Sequence, residues 1–303
     1  MRGLAVFCAI ICLTGLETVL AAPPIAAEAH KTTQSEPVVY VSLGSGGSFS
    51  GGLYAYAQSN FSLQYQIAIQ SPFEIAVDQS ENLYLTSYYS PNISVYAYGA
   101  TSPYSTLFDV GSPQAVAVAA DGTVYAANYY NLWNRDLSGQ IAVYAPGQQE
   151  PEYTLPVPGA QFIFGLCIDQ AKNLYVLFKY PPGTTAVREF PKGSLGPSRD
   201  LGLALQTGDD WGIVVDNAGN LLVTAGGGIE VFPPGATQPS QLIAAGSAAV
   251  SMAFTSDWSK LYVLGVGGVF LYSYPAGTLL AQYPIAHEAY GASGIATSPA
   301  PPQ

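Results

Sequence analysis

Three carboxylates occupy positions from which they could act on a ligand. Glu74 lies at the start of the apolar phrase FEIAVD (residues 73–78), and Asp209 and Asp210 precede the similar phrase GIVVDN (212–217). A carboxylate at the start of a buried strand can bind a cation or serve as a general base. We therefore take Glu74, Asp209 and Asp210 as the candidate catalytic residues. The alternative is that Glu74 is a solvated or hydrogen-bonded carboxylate without a chemical role.

A second group of candidates is mainly aromatic and lies near Asn, Arg and Asp. Aromatic rings offer a sugar or another flat ligand a large contact area, and polar neighbours fix its orientation. The competing interpretation is that these rings only cover neighbouring loops. The candidate binding residues are Tyr88, Tyr89, Tyr129, Tyr130, Trp133, Arg135, Lys179, Tyr180 and Trp211.

Histidine and cysteine are too scarce for several common kinds of site. Of the two histidines, His30 precedes the repeated region and only His287 lies within it, so neither a His-based triad nor a zinc site can be assembled. Cys167 is the one cysteine outside residues 1–22, which excludes a disulfide within the exported chain. We predict that Cys167 is a buried apolar residue and not a nucleophile.

The charge of the chain narrows the class of partner. It has 20 acidic residues against 9 Lys and Arg, a net charge of −11. An acidic surface without a basic stripe repels phosphate backbones and anionic membranes, so we expect no nucleic-acid partner. We also expect no membrane span. The expected partner is a small molecule, a glycan or a protein, and the expected state is a monomer.

The elements that must position these residues belong to a phrase repeated every 40 to 50 residues. Each copy has two short apolar strands around a polar turn, then an aromatic strand and a turn with Pro or Gly. Periods of this length indicate propeller blades. The second strands align Tyr40, Tyr84, Tyr125, Tyr175, Leu222 and Tyr262, and the third strands align Tyr54, Tyr96, Tyr144, Phe190, Phe232 and Tyr272.

Three aspartates recur at one register of the repeat and could be mistaken for calcium ligands. Asp78, Asp169 and Asp216 each follow a first strand, within clusters of Asn, Gly, Ser or Gln. Aspartate in such clusters bends the backbone through side-chain hydrogen bonds. We predict that all three form turns in different blades and are far apart.

The two ends of the repeated region complement each other. VVYVSL (38–43) matches a second strand, so the first copy lacks its inner strand, whereas GASGIATSP (291–299) matches an inner strand that nothing follows. We therefore predict an all-β fold, a six-bladed β-propeller of four-stranded blades. The C-terminal inner strand completes the N-terminal blade and closes the ring, which removes an exposed sheet edge.

The repeat resembles that of NHL-type propellers, whose phrase is roughly Pro-x-Gly-Ile-Ala-Val-Asp-x-x-Gly-Asn-x-Tyr-Val. GLCIDQAKNLYV (165–176) and GIVVDNAGNLLV (212–223) approximate it, and residues 72–85 and 113–126 do so more loosely. The resemblance covers about residues 38–299 and implies the six-bladed fold of the NHL-repeat and lactonase-like superfamily. That superfamily includes lactonase-like enzymes, lyases and protein-binding platforms, so the resemblance does not by itself imply one function.

Lactonase-like propellers hold a divalent metal in the channel with Glu, Asn and Asp side chains. In this chain only Glu74, and Asp209 or Asp210, hold comparable positions. This departure argues against a metal-dependent hydrolase, so we predict no cofactor and leave a divalent cation in the channel as the alternative. The other inner strands begin at Ala115, Gly165, Gly212, Ser251 and Gly294.

The remaining segments give the expected domain organisation. Residues 1–22 combine Arg2, an apolar core and terminal alanines, which indicates a signal peptide, with cleavage as late as position 29. We expect a disordered lead-in over 23–37, the propeller over 38–299 and a tail over 300–303. The protein is thus expected to be exported to a periplasm, a cell surface or the medium.

Two principal functions are compatible with these residues. The leading hypothesis is a secreted, non-catalytic binding or interaction module whose ligand contacts the aromatic loop face of blades two to four. The alternative is a lyase or hydrolase at the channel mouth around Glu74, Asp209 and Asp210, with or without a metal. An envelope module whose blade edges meet neighbouring proteins is a third. The sequence does not decide whether the protein is an enzyme.

Overall fold

Strands account for all of the regular structure in the described part of the chain. A computed structural model describes residues 36–44, 51–88, 90–109, 111–131, 139–181, 183–193, 198–206, 211–225, 227–243, 249–285 and 292–303. Within these residues 24 strands form six antiparallel sheets of four strands each, arranged as the blades of a propeller. The predicted fold class and blade number are confirmed.

The blades follow one another along the chain, and each begins with its inner strand except blade 1. In blade 1 the order from the channel outwards is β24 (Ala292–Ser298), β1 (Val38–Leu43), β2 (Gly51–Ala57) and β3 (Leu63–Ile69). Blade 2 has β4 (Pro72–Val77), β5 (Leu83–Ser87), β6 (Asn92–Tyr96) and β7 (Ser105–Phe108). Blade 3 has β8 (Gly111–Val118), β9 (Val124–Asn131), β10 (Gln140–Tyr144) and β11 (Tyr153–Pro156).

The second half of the ring repeats this order with shorter outer strands in blades 4 and 5. Blade 4 has β12 (Phe162–Ile168), β13 (Leu174–Tyr180), β14 (Thr184–Phe190) and β15 (Arg199–Asp200). Blade 5 has β16 (Ile213–Val215), β17 (Leu221–Ala225), β18 (Gly228–Phe232) and β19 (Gln241–Ile243). Blade 6 has β20 (Ala249–Phe254), β21 (Lys260–Gly265), β22 (Gly268–Ser273) and β23 (Leu279–Tyr283).

The C-terminal strand closes the ring as predicted. β24 pairs antiparallel with β1, and Val38 lies opposite Ser298 while Val41 lies opposite Ile295. The last strand of the chain thereby supplies the inner strand that the first blade lacks. Its pairing satisfies backbone groups of β1 that would otherwise form an open edge on the channel.

The hydrophobic core is divided among the interfaces between blades. Six buried clusters each join residues of two neighbouring blades, so every interface around the ring has its own core. Tyr40, Tyr144 and Tyr262 are fully buried within these interfaces. The aromatic columns of the repeat therefore supply inter-blade packing, which accounts for their recurrence at one register in blade after blade.

The three recurrent aspartates form turns that directly follow the C-terminal ends of inner strands. Asp216 accepts hydrogen bonds from the backbone N–H groups of Ala218 and Asn220 at 2.9 and 2.7 Å and from the Asn220 side chain at 2.7 Å. Asp78 and Asp169 accept equivalent bonds from the Asn four residues on and from a tyrosine hydroxyl of their own blade. The prediction that these aspartates form turns is confirmed.

Asp216 also joins two blades, which leads to a prediction about stability. The Tyr274 hydroxyl of blade 6 donates to Asp216 Oδ2 at 2.6 Å, whereas the bonds of Asp169 stay within blade 4. We expect Asp216→Ala to lower the free energy of unfolding by about 2–3 kcal/mol and Asp169→Ala by less, since buried donors lose a charged acceptor. Urea denaturation of both variants measures this. Equal losses would contradict a role for Asp216 between blades.

Candidate functional site

The six inner strands surround a central channel that encloses about 170 Å³. Its walls combine backbone with aliphatic side chains such as Ile75, Val116, Leu166 and Ile213. Among the described residues that line it, Glu74 is the only one with an acidic side chain. We call the end where the inner strands begin the upper mouth and the other end the lower mouth.

Equivalent positions at the starts of the inner strands form a ring of six residues around the upper mouth. We call it the mouth ring, and four of its members are glycine or alanine. An added Cβ on Gly212 would lie 2.9 Å from the Val250 carbonyl oxygen, so glycine is what allows the strands of blades 5 and 6 to approach so closely. In blade order from 1 to 6 the ring consists of Gly294, Glu74, Ala115, Gly165, Gly212 and Ser251.

Irregular strand pairing changes the direction of side chains in the mouth ring. The pairing shifts register between Pro72 and Ile75 in blade 2 and between Ala249 and Ser251 in blade 6. Such bulges rotate the following side chains out of the alternation of a regular strand. Glu74 and Ser251 both lie at these shifts, so both side chains can turn towards the mouth.

Buried hydroxyls from the second strands compensate for the ladder bonds that the bulges interrupt. Thr86 Oγ1 accepts a hydrogen bond from the Glu74 N–H at 2.9 Å and donates to the Gln114 carbonyl of blade 3 at 3.1 Å. Ser42 Oγ accepts from the Gly294 N–H at 2.8 Å and donates to the Phe73 carbonyl of blade 2. The backbone that carries Glu74 is therefore fixed from blades 1 and 2.

The Glu74 side chain extends from blade 2 across blade 1 to blade 6. Its Oε1 lies 3.1 Å from where a Cβ on Gly294 would be, and its carboxyl group accepts hydrogen bonds from the Ser251 hydroxyl and the Ile75 N–H. Ser251 Oγ in turn accepts from the Ile295 N–H at 3.3 Å. Gly294 is thus the member of the ring whose lack of a side chain lets Glu74 and Ser251 meet.

Burial dominates the electrostatics of Glu74. Loss of solvent around the carboxyl group raises its pKa to about 8, against the lowering effect of the Ile75 and Ser251 hydrogen bonds. The side chain keeps a partial opening to the channel. In the described part of the chain no Lys, Arg or His pairs with it, because the three ion pairs found there lie elsewhere. Among the described residues, Glu74 is thus a carboxyl group at the mouth without a positive partner.

An aromatic rim from blades 4 and 5 borders the upper mouth. Trp211 lines the channel, is 38% exposed, and meets the Phe164 ring edge-on with centroids 4.9 Å apart. Lys179 Nζ lies 5.7 Å from the centroid of the same Phe164 ring. In blade 2, Tyr88 is exposed and contacts Phe73, the neighbour of Glu74.

The structure places the predicted binding residues that it describes in different surroundings. Trp211 and Lys179 lie at the rim, but the Tyr180 hydroxyl donates to Asp200 Oδ2 at 2.5 Å and accepts from Arg188 at 2.7 Å. Tyr180 thus fixes the outer edge of blade 4. For Tyr129 and Tyr130 only the backbone, in β9, is described. Tyr89, Trp133, Arg135, Asp209 and Asp210 lie outside the described residues.

Ser251 and Phe164 are the members of the site that sequence reasoning missed as functional candidates. Ser251 stands in a ring position where small residues prevail, and its bond to Glu74 depends on a contact across blade 1. In the sequence, Phe164 cannot be distinguished from the other apolar residues of its strand. Their positions in the repeat were the available signal. Ser251 is a member of the mouth ring, and Phe164 directly precedes another member, Gly165.

The C-terminal tail lies at the lower mouth. Ala300, Pro301 and Gln303 line the channel there, and Gln79 Nε2 donates to the Pro301 carbonyl at 2.8 Å. The Ser298 hydroxyl, just before the tail, donates to Glu81 Oε2 at 2.9 Å. These contacts attach the tail to the lower turn of blade 2, so the tail restricts the channel at this end.

Cys167 lines the channel and behaves as an apolar residue. It is buried, and burial raises the pKa of its thiol, to which the nearby Asp169 carboxylate adds. A thiol kept protonated is a poor nucleophile. The prediction that Cys167 is a buried core residue is confirmed.

The described residues offer little to a metal ion. Within them no group of three or more His, Cys, Asp and Glu side chains is close enough to hold one. Glu74 alone supplies one ligand group, which is fewer than divalent cations take from structural protein sites. No helix formed by the described residues is long and apolar enough to cross a membrane.

Comparison with known proteins relates the chain to several propellers by structure. A chain in a nidogen/laminin complex superposes with a TM-score of 0.67 at 15% identity, over 86% of this chain and 98% of that one. A protein of unknown function from Bacteroides caccae gives 0.62 at 13% over 86% and 98%, and a gluconolactonase from Xanthomonas campestris gives 0.56 at 16% over 71% and 79%. The chain shares their propeller fold.

This likeness confirms the resemblance predicted from the repeat and is limited to the fold. Neither a protein-family model nor a curated protein sequence matches the chain. At identities this low the neighbours show how the backbone is arranged, and the chemistry of the mouth must be argued from its own residues.

The raised pKa of Glu74 predicts a dependence of stability on pH. Folded Glu74 titrates near 8 and its ordinary value is 4.5, so the folded state binds the proton more tightly and ionisation favours unfolding. Glu74→Gln should therefore gain up to about 4 kcal/mol relative to wild type as the pH rises from about 5 to 9, with most of the change complete once the pH exceeds the folded pKa. Urea denaturation at several pH values measures this. A difference that stays constant with pH would contradict the burial of Glu74.

The position of the tail predicts that it limits access to the channel. We expect deletion of residues 300–303 to speed the reaction of Cys167 with methyl methanethiosulfonate by about tenfold or more, because the lower mouth opens beside it. The experiment uses protein that begins at residue 23, in which Cys167 is the only thiol. Gln79→Ala, which removes only the bond to Pro301, should give a smaller increase. An unchanged rate at unchanged global stability would show that the tail does not restrict the channel.

Proposed function

We propose that the protein is a binding module whose ligand occupies the upper mouth of the channel and contacts the aromatic rim. The observation that carries this proposal is the combination of partly exposed Trp211 with the carboxyl group of Glu74, which has no positive partner among the described residues, at one opening. A concave site with aromatic area and few polar groups is the usual form of a small-ligand site.

The position of the rim refines the surface expected from sequence. The leading hypothesis placed the ligand on the loops of blades two to four, and the described contacts favour the part of that face next to the channel. Tyr88 and Lys179 connect the mouth to those loops. A larger ligand such as a glycan would contact both regions, whereas a small molecule would use the mouth alone.

The structural neighbours are compatible with a binding role and with a catalytic one. One belongs to a nidogen/laminin complex, and others carry the name gluconolactonase. Propellers thus place protein recognition and small-molecule chemistry on the same scaffold. The choice for this chain rests on its mouth, where the described residues provide one carboxyl group and no metal-binding group of three.

Channel-mouth catalysis is the second candidate, and the raised pKa of Glu74 favours it. A carboxyl group that titrates to about 8 could transfer a proton in a lyase or hydrolase reaction near neutral pH. The Ser251 hydroxyl and the Ile75 N–H would hold the carboxyl group in place. Elemental analysis followed by metal-dependent melting separates the candidates. A stoichiometric divalent ion that raises the melting temperature would favour the enzyme.

We further propose that the protein acts outside the cytoplasm after removal of its N-terminal leader. The support is the sequence of residues 1–22, with Arg2, an apolar core and small residues at the end. N-terminal sequencing of protein recovered from each cell fraction tests this. A cytoplasmic protein that retains residues 1–22 would contradict it.

A matched pair of tryptophan variants tests the binding site. We expect Trp211→Ala to weaken binding of a ligand at the upper mouth about tenfold or more, because aromatic anchors dominate such sites. Trp258→Phe, at the lower end of the same channel, should change affinity little. Ligands come from a thermal-shift screen of small molecules and glycans, and affinities are then measured by calorimetry.

The same screen decides between the mouth and the loops of blade 3. Replacing Tyr129, Tyr130 and Trp133 together with alanine should leave a mouth-bound small molecule in place and weaken a glycan that extends over the loops. If neither Trp211→Ala nor the triple replacement changes the affinity, the proposed site is overturned.

A further inference from the structure

We propose that the upper mouth binds a small organic amine, with its ammonium group at Glu74 and a hydrocarbon body of about one ring inside the channel. This inference rests on the proposed binding function and specifies the chemistry of its ligand. Three independent features support it: the charge at the mouth, the nature of the channel wall and the size of the enclosed space.

Among the described residues, the mouth holds a carboxyl group that has no positive partner. Glu74 is held by a hydroxyl and a backbone N–H, and no positive group of the described chain pairs with it. Lys179, the described cation at the rim, lies over the Phe164 ring. An ammonium group would supply the opposite charge that a desolvated carboxylate lacks, and it needs only one carboxylate, unlike a divalent metal.

In the described inner strands, the other ionisable side chain is that of Cys167, and burial raises the pKa of its thiol so that it stays protonated. The polar contacts to the backbone of β4 around Glu74 come from the hydroxyls of Ser42 and Thr86. β8 contributes the Gln114 carbonyl to the same network, and β20 contributes Ser251. Glu74 is therefore the group whose ionisation an arriving ammonium would control.

The channel wall is suited to the other end of such a molecule. Below Glu74 the channel is lined by backbone and by the small accessible parts of aliphatic residues that otherwise pack between the blades: Ile75, Val116, Leu166, Ile213 and Met252. A hydrocarbon body there would displace confined water from aliphatic surface. Because the tail lies at the lower mouth, the ligand enters from the upper mouth with its body first, and its ammonium group stops at Glu74.

The size of the channel limits that body to about one ring. It encloses about 170 Å³. An apolar cavity of about 150 Å³ in another protein binds benzene, which sets the scale. A single aromatic or saturated ring therefore fits. Trp211, at the rim, is placed to cover the ring or to face the ammonium group, and either contact is favourable.

Benzylamine and benzyl alcohol form a matched pair of probes, because they differ only in the charged group. We expect benzylamine to bind at least about tenfold more tightly than benzyl alcohol at pH 8. Its affinity should rise up to about tenfold per pH unit between about pH 6 and 8, because Glu74 must release its proton to pair with the amine. Calorimetry in buffers of different ionisation enthalpy should detect that proton. Equal affinities for the two probes, or a flat pH profile, would overturn the proposal.

Glu74→Gln keeps the shape of the side chain and removes its charge. We expect it to weaken benzylamine about tenfold or more at pH 8 and to leave benzyl alcohol nearly unchanged. A cooperative melting transition establishes that the variant is folded. Should it fail to fold, the pH profile and the proton release of the wild-type protein still decide the proposal. Undiminished benzylamine binding in folded Glu74→Gln would overturn it.

The outcomes separate this inference from the broader proposal. A neutral or glycan ligand that depends on Trp211, together with no benzylamine binding at millimolar concentration, would overturn the amine and preserve the binding module. Benzylamine binding that depends on Glu74 would support both. No ligand of any class at the upper mouth would overturn both.

Discussion

The crowding of six inner strands around one axis is the constraint on which the rest of this structure depends. Each blade must bury both faces against its neighbours, so the inner strands approach until backbone meets backbone, as Gly165 and Gly212 show. Side chains at the mouth ring would obstruct this approach. Small residues there, bulged pairing and the buried hydroxyls of Ser42, Thr86 and Thr224 are different responses to the same crowding.

Ring closure extends this constraint to the two ends of the chain. β24 completes blade 1, and the residues after it lie at the lower mouth. There Gln79 Nε2 donates a hydrogen bond to the Pro301 carbonyl. The tail therefore restricts the lower end of the channel. The same strand carries Gly294 at its upper end, over which Glu74 reaches Ser251. The C-terminal strand and its tail thus contribute to both mouths.

The fold could be predicted from the sequence because its signals are local and repeated. The aromatic columns report packing that recurs at every interface, and Asp78, Asp169 and Asp216 report turns made within a few residues. The site could be predicted only in part. Glu74 stood out because its ring position otherwise favours small residues. Its partner Ser251 lies in another blade, on a contact that no single repeat records. The bonds of Tyr180 to Arg188 and Asp200 lie within blade 4, but they join residues that have no counterpart in the other copies of the repeat.

Glu74 departs from the pattern of the repeat, which otherwise has small residues at the mouth ring. A glycine or alanine would satisfy the crowded ring, and the carboxyl group instead loses solvent, so its ionised form is disfavoured. The Ser251 hydroxyl and the Ile75 N–H offset part of this cost, but neither brings a positive charge. Proteins keep such locally unfavourable groups mainly where function requires them. A ligand that completes the electrostatics of the mouth is the simplest physical reason for a carboxyl group in a ring built from glycine, alanine and serine.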